Sequence, residues 1–356
     1  RADVSTGFLL SGGLDSSLLV ALASEISQKQ IYTYNVSYNE DASQVENENS
    51  KLVSRMYNTK HTNLNIDKFD ITSFFEILEK FDEPINDSSV IPTFSIYNQI
   101  KDKCKVVIGG DGGDEIFGGY KHFQNFLIYD FLNSLSKSTT KLISKFFNND
   151  FFLHRKGSMY LDLIKSNERI IDIPNYFNNQ ERLKAFKDEK LFYKINIDKN
   201  INEDIVMEGM RNSFENYLPE DIMFKIDRCS MLNSIEARTP YLDIKLVDYI
   251  FKNSIGKNHV SLLNRRKMQK KISKSYLPKQ ILNQKKRGFS FNLNNQLKNK
   301  KWKNEIYQIL SSKDCLFSKN YIDYLFKMHE IGHNVSDKIF GILFFEIWKK
   351  KYRIQV

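Results

Sequence analysis

The stretch SGGLDSS, residues Ser11 to Ser17, follows a short apolar run that ends at Leu10 and starts the fold. The apolar run predicts a buried strand, and the apolar spacing over Leu14 to Ile26 predicts a helix. A glycine-rich turn between a strand and a helix leaves backbone N–H groups unpaired at the helix N-terminus, which favours anion binding. Gly12 and Gly13 would let the backbone approach a ligand closely.

The same turn carries an acidic residue, Asp15, and it lacks the lysine of a Walker A loop. A carboxylate inside a phosphate-binding turn repels the phosphate unless a cation lies between them. Asp15 therefore predicts Mg²⁺ held between the carboxylate and a phosphate. Taken alone, the turn is also compatible with an ordinary strand-to-helix connection whose serines cap the helix.

Strand-like and helix-like segments alternate over the first 120 residues. Further strands are predicted at Ile31 to Tyr38, Asn63 to Ile66 and Lys105 to Ile108, and further helices at Glu46 to Tyr57 and Ile71 to Phe81. This alternation predicts an α/β fold with a doubly wound, mainly parallel sheet. The pattern then becomes mostly helical, so we expect an α/β core over residues 1–122 and a large helical part over residues 123–356 that completes the site.

A second glycine-rich turn, IGGDGGDEIFGGY from Ile108 to Tyr120, follows another buried strand. It places Asp111, Asp114 and Glu115 just beyond the carboxyl end of that strand. In an open parallel sheet, ligands bind beyond the carboxyl ends of the strands, so both turns are expected at one edge. Asp15 and Asp114 can then converge on one metal ion whose remaining ligands are water and phosphate oxygens.

Composition restricts the class of protein. The chain has 356 residues, of which 41% are hydrophobic, and its three cysteines are too widely spaced for a zinc site. No stretch is long and apolar enough to span a bilayer, so we expect a cytoplasmic protein without a membrane partner. The chain starts at Arg1 without an initiating methionine, which suggests that a segment precedes it.

The formal net charge of +10 invites comparison with nucleic-acid-binding proteins. The basic segment, Leu263 to Lys303, holds fourteen lysines and arginines and no acid. One interpretation is a solvated helical face. The other is that one or two of these cations reach an anionic ligand.

Several motifs together resemble a known family. SGGLDSS resembles the pyrophosphate-binding loop of the N-type ATP pyrophosphatases, which cleave ATP between its α- and β-phosphates. The second turn narrows the resemblance to the synthetase domain of glutamine-dependent asparagine synthetases. Five further segments share it: Phe81 to Pro84, Asp87 to Ser89, Asp227 to Met231, Glu236 to Asp243 and Lys286 to Phe289. The resemblance covers residues 1 to about 295 and implies the PP-loop fold of adenine nucleotide α-hydrolases.

The resemblance implies nucleotide-binding roles for the matched residues. The pyrophosphate would bind at Ser11, Gly12, Gly13, Asp15 and Ser16, and the AMP portion would approach the backbones of Leu9, Val36 and Gly110. The position of Val36 depends on a strand alignment that could slip by two residues. Asp15 and Asp114 would hold Mg²⁺.

The resemblance also implies catalytic residues. Lys286, or Lys285 if the alignment slips by one, would face the α-phosphate and stabilise the charge that develops there. Glu115 would lie near the amino-acid substrate or the incoming ammonia. Asp111, Glu236 and Arg238 are expected just behind these groups, although Glu236 and Arg238 could equally be a paired, buried support for the loop before Pro240.

The implied reaction is the ATP-dependent amidation of a carboxylate, with AMP and pyrophosphate as products. Aspartate is the expected acceptor, and a glutaminase domain, in cis or in trans, would supply ammonia from glutamine. That domain has no counterpart in these residues, so we expect glutamine hydrolysis to occur elsewhere. No nucleic-acid partner is expected, and the resemblance is compatible with a homodimer.

Three alternatives stay open at this point. The Lys-Lys-Arg-Gly-Phe segment that begins at Lys285 is also found in asparagine synthetase-like proteins encoded with surface-polysaccharide genes, so the acceptor could be a sugar acid or another carboxylate. A tRNA-modifying enzyme with the same loop would suit the positive charge. A nucleotide-binding protein without catalytic activity would keep the fold and lose the chemistry.

Overall fold

A five-stranded parallel sheet forms the centre of the molecule. The computed structural model describes residues 3–38, 41–66, 70–135, 177, 179–186, 204–284 and 291–354. The strands are β1 (Thr6–Leu9), β2 (Tyr32–Tyr38), β3 (Lys60–Ile66), β4 (Val106–Ile108) and β5 (Glu236–Arg238). Every neighbouring pair is parallel, which confirms the predicted α/β fold.

The spatial order of the strands is β3-β2-β1-β4-β5. The chain runs outward from β1 to β3, then returns to place β4 on the other side of β1. The direction of winding therefore reverses between β1 and β4, and ligands of open α/β sheets bind in the crevice at such a reversal. The two glycine-rich turns follow these two strands.

Six helices accompany the first four strands among the residues described up to 135. They are α1 (Leu14–Ile26), α2 (Asp41–Met56), α3 (Ile71–Leu78), α4 (Val90–Ile100), α5 (Gly113–Phe117) and α6 (His122–Ser134). The bounds of α1 agree with the prediction, and those of α2 and α3 differ by a few residues. The first turn of α3 is capped by Asp70, whose carboxylate accepts a hydrogen bond from the Ser73 N–H.

The rest of the described chain is helical except for β5. Its α-helices are α7 (Asn179–Ala185), α8 (Ile205–Asn212), α9 (Phe224–Met231), α10 (Ile244–Asn253), α11 (Gly256–His259), α12 (Lys267–Ser273), α13 (Lys279–Leu282), α14 (Leu293–Gln296), α15 (Lys300–Leu310), α16 (Lys319–Glu330) and α17 (Ser336–Tyr352). A π-helix at Ser213–Met223 joins α8 to α9, and a single 3₁₀ turn lies at Pro240–Leu242.

The strand β5 was not predicted, because its three residues, Glu-Ala-Arg, carry no β-branched or aromatic signal. It forms because β4 presents an unpaired edge, on which Val106 pairs with Glu236 and Ile108 with Arg238. Tertiary pairing here overrides a weak local preference. The consequence is that Glu236 and Arg238 lie on a strand and not in a loop.

The C-terminal helices belong to the same core as the sheet. Phe74 of α3 is fully buried, and its ring centroid lies 5.4 Å from that of Phe291, 5.2 Å from that of Trp302 and 6.3 Å from that of Phe340. Phe340 lies on α17, so the aromatic end of the chain packs against an N-terminal helix. Within the residues that the structure describes, no helix has the length and apolar character needed to cross a membrane.

Candidate active site

The first glycine-rich turn is tightly packed against α2. Gly12 has a φ of +72°, and a Cβ on it would lie 2.6 Å from the Ser50 nitrogen and 2.7 Å from the Glu46 carbonyl oxygen. Both the backbone conformation and the space thus require glycine at this position. The Ser11 hydroxyl lies 3.1 Å from that of Ser16, and the backbone N–H of Ser11 donates to the Ser16 hydroxyl. The turn therefore has an ordered shape before any ligand binds.

The two glycine-rich turns touch each other. A Cβ on Gly110 would lie 3.0 Å from the Asp15 Cβ and 3.1 Å from the Ser16 nitrogen, and a Cβ on Gly113 would lie 2.8 Å from Asp15 Oδ1. Because Gly110 and Gly113 have no side chains, the first turn can approach the second turn this closely. The sequence predicted this meeting from the parallel order of the strands, and the structure brings these residues together.

Asp15 and Asp114 lie on either side of one arginine. The Nη2 atom of Arg266 is 3.0 Å from Asp15 Oδ2 and also donates to Asp114 Oδ1. All three side chains are largely buried, with exposed fractions of 16% for Asp15, 7% for Asp114 and 8% for Arg266. Two carboxylates and one guanidinium leave a net negative charge in a poorly solvated place.

Two neutral side chains fix the orientation of Asp15. The Gln269 amide donates to Asp15 Oδ1 at 2.7 Å, and the Tyr241 hydroxyl donates to the Asp15 carbonyl oxygen at 2.9 Å. Arg266 precedes α12 and Gln269 lies in its first turn, so they reach Asp15 from the same side. Tyr241 belongs to the 3₁₀ turn after β5. Elements distant in sequence thus hold Asp15 in place.

The residues present fit a divalent cation. Carboxylate oxygens are the ligands that Mg²⁺ prefers, and a single cationic nitrogen already contacts both carboxylates. Throughout the ranges that the structure describes, no three histidine, cysteine, aspartate or glutamate side chains form a complete metal site. A cation bound here would therefore need water or phosphate oxygens as its other ligands, which is the usual situation for Mg²⁺.

Glu115 is a buried acid next to this pair. It is 1% exposed, and the Tyr120 hydroxyl donates a hydrogen bond to its Oε1. The pKa of Glu115 is raised to about 7, mainly because burial disfavours the charged carboxylate; Asp111 and Asp15 add to the increase, and the hydrogen bond from Tyr120 opposes it. Near neutral pH this carboxyl can both release and accept a proton.

Replacing Glu115 with glutamine is expected to change how stability depends on pH. The pKa of Glu115 is 4.5 in the unfolded chain and about 7 in the folded protein, so the folded protein binds this proton more tightly. The stability that the proton contributes is complete only at a pH below the unfolded pKa. This contribution is lost as the pH rises through 7, at a cost of about 3 kcal/mol. Glu115→Gln should therefore gain stability relative to wild type at pH 8 and not at pH 4.

The measurement is the free energy of unfolding in urea at several pH values. The control is Glu79→Gln, which removes one exposed carboxylate. The stability difference between the two variants should grow from pH 4 to pH 8. A constant difference over this range would contradict the assignment of a raised pKa to Glu115.

A buried lysine lies behind the second turn. Lys225 of α9 pairs with Asp87 and donates to the Ser89 hydroxyl at 2.7 Å. Burial lowers the pKa of Lys225, but the carboxylates of Asp87 and Asp221 outweigh this effect and raise it, and Asp111 acts in the same direction. The cluster ties the segment before α4 to the end of the π-helix and keeps a positive charge within electrostatic reach of the turn after β4.

The remaining predicted residues lie at the carboxyl edge of the sheet or beside it. Leu9 ends β1 opposite Tyr34, and Val36 lies two residues farther along β2. Asp111 is half-buried in the second turn. Glu236 and Arg238 form an exposed ion pair on β5, with 2.7 Å between Oε1 and Nε. Their pairing agrees with one of the two expectations, but Glu236 is exposed and not buried.

The predicted catalytic lysine, Lys286, and its alternative Lys285 lie outside the described residues. The last described residue before them, Gln284, accepts a hydrogen bond from the Asn49 side chain at 2.8 Å. Asn49 belongs to α2, next to Gly12. The described chain thus brings the start of this segment close to the first glycine-rich turn.

The basic segment is not one solvated helical face where it is described. It is divided among α12, α13, α14 and the start of α15, and Arg266 within it is buried. Arg266, Gln269 and Tyr241 were not singled out from the sequence. The only signal for Arg266 was its place at the start of a run of fourteen like charges, which cannot distinguish a buried cation from an exposed one.

A sheet that reverses between β1 and β4, two facing glycine-rich turns and a helical second half define an α/β protein of the PP-loop type. Residues 1–350 match the family described as Asparagine synthase, and the chain belongs to this family. The resemblance of the motifs is thereby confirmed over nearly the whole chain.

Curated relatives agree with this family. The chain is 26% identical over 374 residues to "Asparagine synthetase (glutamine-hydrolyzing) 1" of Bacillus subtilis, a match that covers 98% of this chain and 56% of the relative. It is 31% identical over 248 residues to "Putative asparagine synthetase (glutamine-hydrolyzing) 2" of Methanocaldococcus jannaschii, covering 65% of this chain and 46% of the relative. The chain thus spans about half the length of these relatives.

Proposed function

We propose that this chain activates a carboxylate with ATP and directs its amidation, with aspartate as the acceptor and asparagine as the product. The observation that carries the proposal is that two glycine-rich turns meet where the sheet reverses its winding. There Asp15 and Asp114 both contact the guanidinium of Arg266. Membership of the asparagine synthase family supports the same chemistry. The names of the relatives support glutamine as the source of ammonia, released by a glutaminase domain in cis or in trans.

The first step joins two anions. A carboxylate oxygen of the acceptor attacks the α-phosphate of ATP, and pyrophosphate leaves. The backbone N–H groups after β1 would bind the pyrophosphate. Asp15 and Asp114 would hold Mg²⁺, which would supply positive charge to neutralise the leaving group. Lys286 is proposed to face the α-phosphate, with Lys285 as the alternative, and the backbones of Leu9, Val36 and Gly110 to approach AMP.

The second step forms the amide. Ammonia attacks the carbonyl carbon of the acyl-adenylate, AMP leaves, and the nitrogen loses a proton. Glu115 is proposed as the proton acceptor, because its carboxyl is buried beside Asp114 and has a pKa of about 7. Asp111 contributes negative charge next to it. Glu236 and Arg238 are proposed to border the acceptor site from β5.

The test is a screen of acceptors with ATP, Mg²⁺ and ammonium. With aspartate labelled with ¹⁸O in its side-chain carboxylate, the enzyme should release pyrophosphate from ATP and form asparagine. One labelled oxygen should appear in AMP. Transfer of the label reports the acyl-adenylate directly. If a uronic acid or a peptide carboxylate stimulates pyrophosphate release and aspartate does not, then aspartate is not the acceptor. The proposal that the chain adenylylates a carboxylate would still hold.

No finding favours an RNA-modifying enzyme or a protein without catalytic activity. Absence of pyrophosphate release with every carboxylate, under conditions in which ATP binds, would contradict the proposed reaction itself.

A further inference from the structure

Arg266 lies between Asp15 and Asp114, the two predicted metal ligands. A single atom, Arg266 Nη2, contacts both Asp15 and Asp114. A divalent cation bound through the same two oxygens, Asp15 Oδ2 and Asp114 Oδ1, would need the same space. The guanidinium and the metal are therefore alternatives for one position.

The two carboxylates need a cation whether or not a ligand is bound. Both side chains are more than four-fifths buried, and like charges at close range in a poorly solvated place repel strongly. Arg266 supplies that charge from within the chain, and an arginine stays charged under all ordinary conditions. The site can thus stay folded and negatively charged without metal.

Arg266 has two unfavourable features in this position, one in its backbone and one in its side chain. Its backbone is left-handed, with φ 56° and ψ 35°, which is unfavourable for a side chain other than glycine, asparagine or aspartate. Its Nε atom is buried, and no acceptor reaches it from the part of the chain that the structure describes. An anionic group that approached the guanidinium could satisfy this donor.

We propose that Arg266 is a resident counterion of the Asp15 and Asp114 carboxylates, which keeps free divalent cations out of the site until a nucleotide arrives. The phosphates of the nucleotide would then offer the guanidinium a new anionic partner, which would let the two carboxylates hold the metal. The inference rests on the proposed function, because it assumes a metal–nucleotide complex at these residues. With Arg266 in this role, metal binding at the site is conditional on nucleotide binding.

The experiment measures binding of Mn²⁺ alone, by electron paramagnetic resonance, to the whole chain without nucleotide. Arg266→Met removes the charge and keeps most of the length of the side chain. It should bind Mn²⁺ about tenfold or more tightly than wild type, because a fixed positive charge next to the metal is gone. Adding Asp114→Asn to this variant should abolish the gain.

Two control variants separate this effect from a general loss of positive charge. Lys267→Met removes an exposed charge from the neighbouring position and should bind Mn²⁺ like wild type. Arg266→Lys keeps a cation in the site and should also bind Mn²⁺ weakly. If Arg266→Met binds Mn²⁺ no more tightly than Lys267→Met, or if Arg266→Lys binds as tightly as Arg266→Met, the inference is wrong.

Thermal unfolding covers the case in which Arg266→Met is too unstable to titrate. Without the arginine, the two carboxylates repel each other, and Mg²⁺ should restore the melting temperature of Arg266→Met while hardly changing that of wild type. No recovery with Mg²⁺ would overturn the inference. If wild type binds no Mn²⁺ even with ATP, the metal site of the proposed function fails. If Mn²⁺ with ATP binds normally and Arg266→Met gains nothing, only the counterion role fails.

Discussion

Replacing Asp15 with asparagine is expected to lower the rate of ATP-dependent pyrophosphate release by about 10²–10³-fold. Asparagine has the same shape as aspartate, so the hydrogen bond from Gln269 and the turn around Gly12 should survive. What is lost is the negative charge that would hold a metal against the leaving pyrophosphate, and with it the ion pair between Asp15 and Arg266. The loss of metal binding should appear in the chemical step, and the loss of the ion pair in the stability of the folded chain.

The measurement is pyrophosphate release under single-turnover conditions, with the thermal stability of each variant determined in parallel. Asp102→Asn, an exposed acid in the loop before β4, is the matched control and should behave like wild type. The assignment of Asp15 to the metal site would be contradicted if Asp15→Asn kept more than about a third of the wild-type rate, since loss of a positioned charge costs far more.

Replacing Gly119 with alanine should have the largest effect on stability. A Cβ on Gly119 would lie 1.7 Å from Asp114 Oδ1 and 2.6 Å from Arg266 Nε. The new methyl group cannot be accommodated without separating Asp114 from Arg266, which would break a buried ion pair. We expect a loss of about 3 kcal/mol or more in the free energy of unfolding.

Gly332→Ala is an informative control for this variant. Gly332 has a φ of +93°, and among the described residues, its two chain neighbours aside, no heavy atom lies within 4 Å of the position that its Cβ would take. Its replacement reports backbone strain alone and should cost about 1 kcal/mol. Gly119 has no positive φ, so its replacement reports steric overlap alone. Equal losses for the two variants in urea unfolding would mean that the pocket around Asp114 can expand.

The sequence was sufficient to predict the elements whose pattern is local. Helix α1 has the predicted bounds, Leu14 to Ile26, because its apolar spacing is regular and a glycine-rich turn precedes it. The meeting of the two turns was also predictable. Strands that run parallel end at the same edge of the sheet, so Asp15 and Asp114 had to lie near each other once β1 and β4 were neighbours.

The sequence could not show which groups complete the site. Arg266 is one of fourteen similar charges, and its burial depends on α12 packing against α1 and α5. The pKa of Glu115 is raised because α5 is enclosed on all sides, and no motif records enclosure. Strand β5 exists only because β4 offers an edge.

By itself, the sequence determined the alternation of strands and helices, the two glycine-rich turns and their acidic residues, because backbone freedom and side-chain periodicity act between neighbours in the chain. Only the tertiary structure decided that Arg266 faces Asp15 and Asp114 and that Phe340 packs on Phe74. These pairs are separated by about 150 residues or more, and their contacts depend on how whole elements pack in three dimensions.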